Sequence, residues 1–334
     1  MFYTFLLVFI LTVILIWFIR ANAKGWGLID IPNERSIHDT FIPRGAGIAF
    51  YISVICIVPF FYFDLILSYP WTTLALFLIF TIGVLDDIYD TSPKTKFMII
   101  ILSTIFLSFD GIIISKLGTF FTLNISLYWF ALPFTIFVVS GFTNALNLID
   151  GLDGLAASIS VVILATFFWI GYTHHDMFMM MLAGVFIATL FAFLFYNWNP
   201  ASIFMGDSGS LMLGFIVSVL GIKSLAYIPP VSILFLGAIP ILDTLVVMIR
   251  RKRAGRSFFS ADSCHIHHLF KEVFKENTPK TVLFLVSTQI LYSLFGLQLD
   301  KEMDQGILLI VFIVNILLLY KIFDVMIEKQ KRIC

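Results

Sequence analysis

The 334-residue sequence has few charged residues, few cysteines and no net charge. Lys, Arg, Asp and Glu make up 13% of it, against about 25% in soluble proteins, and this scarcity excludes a soluble globular class. The 21 basic and 21 acidic residues cancel, so net charge indicates no nucleic-acid partner. The three cysteines, Cys56, Cys264 and Cys334, are too few and too widely separated for a disulfide framework or a paired CxxC metal site.

Apolar residues dominate instead, at 60% of the chain with 38 Phe and a mean hydropathy of +1.01. A helix needs about 20 apolar residues to cross the hydrocarbon core, and only helices joined by loops satisfy their own backbone there. We therefore predict an all-α polytopic membrane protein that forms a single domain over residues 1–334, with the lipid bilayer as its surroundings. Eleven transmembrane helices are expected, at 2–19, 46–63, 71–85, 97–109, 127–146, 154–172, 177–196, 209–226, 229–249, 282–299 and 306–323.

The distribution of Lys and Arg predicts the orientation, because cytoplasmic loops carry an excess of both. With eleven spans, nearly all basic residues fall on one side, and Lys116, Lys223 and Lys301 fall on the other. The N-terminus is therefore expected outside and the C-terminus in the cytoplasm.

Polar clusters interrupt the apolar sequence in five connections, which the predicted topology places together on the cytoplasmic face. These candidate catalytic loops are 20–45, 86–96, 144–153, 197–208 and 250–281. An ion-coupled transporter is the competing class, but carriers place ionisable groups near the bilayer midplane. Asp243 is the one acidic residue well inside a predicted span, so the pattern favours an enzyme.

The second loop contains three acidic residues, Asp86, Asp87 and Asp90, followed by Lys96. Asp86 and Asp90 are four residues apart, so a continuing helix would place both carboxylates on one face. Such carboxylates repel each other unless a cation or a basic group lies between them, and Lys96 could supply that group.

The third loop has the densest polar pattern, with Asn144, Asn147 and Asp150 recurring every three residues ahead of Asp153. Amide and carboxylate oxygens converging on one side of a helix tip are the ligands that Mg²⁺ prefers. In the fourth loop Asp207 follows glycine at a predicted helix start, where backbone N–H groups favour phosphate. Together the two loops predict a site for a divalent cation and phosphate.

The last loop carries basic residues that include Arg250, Arg253 and Arg256. Arginines at an inner helix end are often simple orientation anchors, but here they share a face with the acidic clusters, as does Arg44 in the first loop. Contact with phosphate or nucleotide is the alternative to that anchoring role.

Three histidines, His265, His267 and His268, follow Cys264 in the same loop. Imidazole and thiolate are the usual zinc ligands, so a zinc site is one hypothesis. The four residues are crowded into one turn, however, and the chain lacks matching cysteines elsewhere. We therefore favour phosphate or nucleotide contact for the histidines.

In this order, the motifs resemble those of the polyprenyl-phosphate N-acetylhexosamine-1-phosphate transferases of the MraY, WecA and TagO type. The most specific match is NxxNxxDGxDGL at 144–155, supported by DDxxD at 86–90 and MGDSGS at 205–210. The HIHH pattern at 265–268 resembles the WecA and TagO branch, which uses UDP-GlcNAc. The resemblance covers most of the chain, from about residue 30 to residue 268.

The resemblance implies transfer of N-acetylhexosamine-1-phosphate from a UDP-sugar to undecaprenyl phosphate in the bacterial cytoplasmic membrane. UMP would be released and a cell-surface glycan of the O-antigen, common-antigen or teichoic-acid type would be initiated. The cofactor would be Mg²⁺, with Mn²⁺ as a substitute, and a homodimer is one option. The metal ligands would be Asp207 and Asn147. The catalytic residues would be Asp86, Asp87, Asp90, Lys96, Asp150, His265, His267 and His268. The substrate-binding residues would be Asn144, Asp153, Phe204, Arg250, Arg253, Arg256 and Arg44.

Overall fold

The computed structural model describes residues 1–30, 41–253, 255–256, 265–300 and 303–330. Helices make up most of this part of the chain, and it also contains two pairs of short antiparallel strands. The helices are α1 (Phe2–Asn22), α2 (Ala46–Leu67), α3 (Pro70–Tyr89), α4 (Pro93–Phe109), α5 (Ala131–Leu148), α6 (Leu155–Thr173), α7 (Met177–Asn197), α8 (Asp207–Ser224), α9 (Pro230–Leu236), α10 (Ala238–Arg253), α11 (Ile266–Val273), α12 (Thr278–Leu297) and α13 (Gln305–Gln330). The strands are β1 (Ile29–Asp30) with β2 (Ile42–Pro43), and β3 (Lys116–Phe120) with β4 (Leu123–Ser126).

The helices confirm a polytopic all-α membrane protein. Within the described residues, nine helices are long and apolar enough to cross a membrane, or up to ten if the bent pair α9 and α10 is one span. The eleven predicted spans also include α4, which has 17 residues. The exact number of spans and the orientation stay predictions.

One predicted span, 229–249, is wrong as a single straight helix. The structure breaks it at Gly237, where α9 and α10 meet at 87°. Pro240 lies in the first turn of α10 and has no N–H to donate, and Gly237 has no side chain to resist the change of direction. Both residues were visible in the sequence, but hydropathy measures apolar content and not direction.

The most deeply buried helix is α8, which packs against α2, α3, α5 and α6. Glycines of two neighbouring helices lie very close to the first turn of α8. A Cβ on Gly47 of α2 would collide with the backbone of Gly209, and one on Gly83 of α3 would lie 2.5 Å from Ser208 Cα. Three helix backbones therefore meet at the start of α8, which places the polar loops around that point.

Candidate active site

The start of α8 is tied to α3 by the Asp87 carboxylate, which is only 2% exposed. Asp87 Oδ1 accepts a hydrogen bond from Asp207 N at 2.7 Å, and Oδ2 accepts one from Ser208 N at 3.1 Å. These N–H groups belong to a first helical turn and have no partner inside their own helix. A Cβ on Gly206, which has φ +74°, would lie 2.6 Å from both carboxylate oxygens, so the approach requires glycine.

Lys96 joins two carboxylates from different helices. Its Nζ donates to Asp207 Oδ2 at 2.8 Å and to Asp86 Oδ2 at 3.1 Å, while Thr91 Oγ1 donates to Asp86 Oδ1 at 2.7 Å. Asn147 Nδ2 donates to Asp207 Oδ1 at 3.0 Å. The structure therefore brings together Asp86, Asp87, Lys96, Asn147 and Asp207.

Asp90 lies outside this group, and the prediction that Asp86 and Asp90 share a helix face is wrong. The helix ends at Tyr89, and Asp90 takes a left-handed conformation with φ +48° that turns its side chain outwards. The exposed Asp90 carboxylate pairs with Arg44 Nη2 at 3.3 Å. Because the Asp90 side chain is exposed, this ion pair stabilises little.

Asp150 lies in the turn after α5, close to the other carboxylates. Burial raises the pKa of Asp150 to about 7, and the negative charges of Asp207, Asp87 and Asp153 add to the shift. An environment in which carboxylates repel each other's charge favours a bound cation. Asn144, two turns earlier, is exposed.

The turn after Asp150 is held by the fourth loop. Asp153 Oδ2 accepts hydrogen bonds from Asn199 Nδ2 at 2.8 Å and from Ala201 N at 3.0 Å. Asn197, only 4% exposed, accepts from Gly154 N at 2.8 Å and donates to Ile203 O at 2.9 Å. The sequence did not single out Asn197 as a site residue, although its amide lies at the end of an apolar helix, where a buried polar group needs partners.

The half-buried Phe204 connects this region to the first loop through its backbone. Its N–H donates to Pro43 O at 2.8 Å, and its carbonyl accepts from Ala46 N at 3.2 Å.

Two parts of the predicted site lie outside the described residues. They are residues 31–40 of the first loop and residues 257–264 of the last loop, which include Cys264. Within the described residues, no group of three or more His, Cys, Asp or Glu is arranged to hold a metal.

Asp243 organises the histidine cluster. Its Oδ2 lies 2.7 Å from His265 Nδ1, and its Oδ1 accepts from Ile266 N, the first residue of α11, at 2.7 Å. The carboxylate is 1% exposed. The sequence singled out Asp243 as an acidic residue inside a span but gave it no place in the site, because its partner lies 22 residues further along the chain.

His267 packs against the third loop. It is 1% exposed, and a Cβ on Gly151 would collide with its Nε2. Burial, with the neighbouring His268 and His265, holds the pKa of His267 well below its ordinary value, so the ring is neutral at pH 7. The half-buried His268 ring lies 4.2 Å from the His267 ring.

The three predicted arginines are placed differently from one another. Arg250 is half-buried near the end of α10, and Arg256 is exposed. The Arg253 guanidinium lies 4.5 Å above the ring of Tyr320 in α13. This cation–π contact engages Arg253 with α13 of its own chain.

The donor set fits Mg²⁺. This ion keeps several water ligands and takes one or two protein carboxylates together with substrate phosphates, so it does not need three converging protein ligands. Lys96 pairs with Asp86 and Asp207, and the charge of Asp207 also acts on Asp87 and Asp150, which leaves an excess of carboxylates over ammonium groups. Asn147 turns its amide nitrogen toward Asp207, which orients that carboxylate.

Gly151→Ala is expected to lower turnover about tenfold, because the added methyl group would displace the His267 ring. Loss of residues that orient a site from outside it reduces activity by about this factor. The measurement is kcat together with thermal unfolding in detergent. Gly141→Ala, on the same α5–turn segment with no atom within 4 Å of the added Cβ, is the control. Unchanged kcat in Gly151→Ala would show that the contact has no role in turnover.

Fold and site together define a polytopic membrane protein with a cluster of acidic, amide and lysine side chains at the start of α8. Residues 69–225 match the model of glycosyl transferase family 4. The chain is 36% identical over 275 residues to the "Probable undecaprenyl-phosphate N-acetylglucosaminyl 1-phosphate transferase" of Bacillus subtilis, covering 78% of this chain and 75% of that protein. It is 32% identical over 302 residues to the "Undecaprenyl-phosphate alpha-N-acetylglucosaminyl 1-phosphate transferase" of Escherichia coli K12, covering 86% and 81%. The chain belongs to glycosyl transferase family 4, which confirms the resemblance.

Proposed function

We propose that the protein transfers N-acetylglucosamine-1-phosphate from UDP-GlcNAc to undecaprenyl phosphate and releases UMP. The observation that carries this proposal is the convergence of Asp86, Asp87, Lys96, Asn147 and Asp207 at the start of α8, in a chain whose relatives are named for this transfer. The site contains both signs of charge that a phosphate-rich reaction requires.

The lipid phosphate would attack the β-phosphorus of the nucleotide sugar. A new P–O bond forms, the bond to the UMP oxygen breaks, and UMP leaves with the electron pair. A phosphate monoester is largely ionised at neutral pH, so little proton removal is needed, and Asp86 or Asp87 would accept the proton that remains. A covalent phospho-aspartate route is the alternative to direct attack.

The residues of the site would divide the remaining work. Asp207 and Asn147 would hold Mg²⁺, which screens the charge of the phosphates. Lys96, Arg44, Arg250 and Arg256 would supply further positive charge, and Asp243 would orient His265 for contact with the donor. Asp150, His267 and His268 would line the cleft beside the transferred group, and Asp90 and Asn144 its rim.

The topology belongs to the same proposal. Eleven spans, with the N-terminus outside and the C-terminus in the cytoplasm, would place the site at the inner face of a bacterial cytoplasmic membrane, where UDP-sugars are available. The product would initiate a cell-surface glycan, and two copies would pair as a homodimer. The transporter hypothesis loses its main support, because Asp243 is paired with His265.

The test is transfer of label from UDP-[¹⁴C]GlcNAc to undecaprenyl phosphate by the purified protein with Mg²⁺. We expect a labelled lipid to form, and UMP to be released in equal amount. Omission of undecaprenyl phosphate is the control, since release of UMP without lipid would indicate hydrolysis. No labelled lipid from any UDP-N-acetylhexosamine would overturn the proposal.

UDP-GlcNAc is expected to have the highest kcat/KM among donors. A site that forms a hydrogen bond to a sugar hydroxyl rejects an analogue without it, because its own polar groups are left unpaired. A UDP-N-acetyl-6-deoxyhexosamine would lose such a contact at C6. Comparing kcat/KM for UDP-GlcNAc, UDP-GalNAc and the 6-deoxy donor measures this preference, and a clear preference for the 6-deoxy donor would reverse the donor assignment.

Phe204 and Asp153 are expected to hold the uracil ring, by stacking and by hydrogen bonding. Both described bonds of Asp153 use Oδ2, so Oδ1 is the atom that a base would meet. Stacking contributes about 1–3 kcal/mol per base in nucleic-acid complexes, so Phe204→Ala should raise the KM for UDP-GlcNAc. The KM for undecaprenyl phosphate should stay constant, and a change in the lipid KM alone would contradict this role.

A further inference from the structure

The break between α9 and α10 leaves backbone groups without partners in an apolar part of the protein. An 87° turn interrupts the i to i−4 hydrogen bonds, so the last carbonyls of α9 and the first N–H groups of α10 need partners elsewhere. Inside a membrane protein such groups are costly unless they are paired. The partner at this break is one side chain.

Gln289 of α12, which is fully buried, bonds to both sides of the break. Its Oε1 accepts from Ile239 N of α10 at 3.0 Å. Its Nε2 donates to Leu236 O of α9 at 2.8 Å, with Phe235 O at 3.4 Å and Ser293 Oγ at 3.0 Å also within reach. The primary amide supplies both the acceptor and the donor that the two sides of the break need.

The helix that Gln289 holds carries the anchor of the histidine cluster. Ile239 and Asp243 are four residues apart on α10 and therefore lie on the same face, one turn from each other. Asp243 is bonded to His265 and to the start of α11, and His267 of α11 lies against Gly151. The direction of α10 thus determines where the histidines meet the third loop.

We propose that Gln289 is a positioning residue for the transfer reaction, setting the direction of α10 and so holding Asp243 and His265 at the site. The proposal rests on the proposed function. The break itself is closely packed, because a Cβ on Gly237 would lie 2.6 Å from Phe142 Cε2 of α5. The start of α10 is therefore held by the Gln289 amide and by this packing, and removing the amide leaves only the packing to set its direction.

Gln289→Met keeps the size of the side chain and removes all of its hydrogen bonds. We expect kcat/KM to fall about tenfold, as for other residues that orient a site from outside. The KM for UDP-GlcNAc should rise while the KM for undecaprenyl phosphate stays constant, whereas a loss of folded protein alone would lower kcat without changing either KM. Thr281→Val is the matched control, since Thr281 is buried on the same helix and bonds only to Asn277 O at its start.

The direction of α10 is measured separately by the distance between spin labels at Lys252→Cys and His175→Cys, both exposed, in a background without the native cysteines. The distance distribution should shift or broaden in Gln289→Met and not in Thr281→Val. If Gln289→Met does not fold, Gln289→Asn, which keeps a neutral amide but shortens its reach by one methylene group, should give the same shift. An unchanged distribution, or an unchanged donor KM, would overturn the proposal. If the unmodified protein transfers no radiolabel from UDP-[¹⁴C]GlcNAc, the proposed function is overturned instead, and the spin-label distance still reports on the direction of α10.

Discussion

Asp207→Asn is expected to abolish transfer while leaving folded protein in the membrane. The substitution replaces one carboxylate oxygen with an amide nitrogen, so the group can no longer both bind Mg²⁺ and accept from Lys96 and Asn147. Removing one electrostatic group from a reacting centre costs about 10²–10³-fold in turnover. We expect at least that loss, measured as kcat over a Mg²⁺ titration.

Asp176→Asn is the matched control, because Asp176 is also a carboxylate at a helix start, where it accepts from Met179 N. It lies at the other end of the helices, and its substitution should leave kcat unchanged. The Asp207 variant should also need more Mg²⁺ for any residual activity. Near-normal turnover at low Mg²⁺ would refute the metal-ligand role.

Lys96→Gln is expected to lower kcat by about 10²-fold, the lower end of that range. Without the ammonium group, Asp86 and Asp207 face each other with no fixed cation between them. The Mg²⁺ concentration for half-maximal activity should fall or stay constant, since a competing cation is removed. This response is opposite to that expected for Asp207→Asn.

Lys94→Gln is the control for this variant, because Lys94 is exposed two residues earlier in the same helix. Its kcat should equal that of the unmodified protein. If Lys94→Gln and Lys96→Gln lower kcat equally, then kcat depends on the total positive charge of this segment and not on the contact between Lys96 and Asp207.

Much of the fold could be predicted because each helix is an apolar run of sufficient length. The predicted bounds differ from the observed ones by a few residues for most helices, since polar residues mark where lipid ends. The break at Gly237 could not be predicted in the same way. The break is bonded to Gln289, which lies about fifty residues further along the chain in another helix, and hydropathy contains no information on that contact.

The site residues also fall into two groups, those that the sequence could predict and those that require tertiary contacts. The polar clusters were visible because Asp86, Asn147 and Asp207 interrupt apolar sequence, and the structure brings these residues together. Asp90 was misplaced because the prediction continued the helix through residue 90, whereas it ends at Tyr89. The pairing of Asp243 with His265 and of Asp87 with the start of α8 required tertiary contacts that spacing along the chain does not contain.

The bond between Asp87 and the start of α8 also has a consequence for biosynthesis. Its partner is 120 residues further along the chain, and at about 5–20 residues per second a ribosome needs about 6–24 s to supply it. During that interval α2 and α3 are already made, and Asp87 has no helix start to bond. Before α8 is made, a carboxylate at a helix end can be hydrated at the membrane surface, whereas one in the middle of the span would lie in hydrocarbon without water. The position of Asp87 near the end of α3 therefore suits a site whose parts are inserted one after another and closed only when α8 arrives.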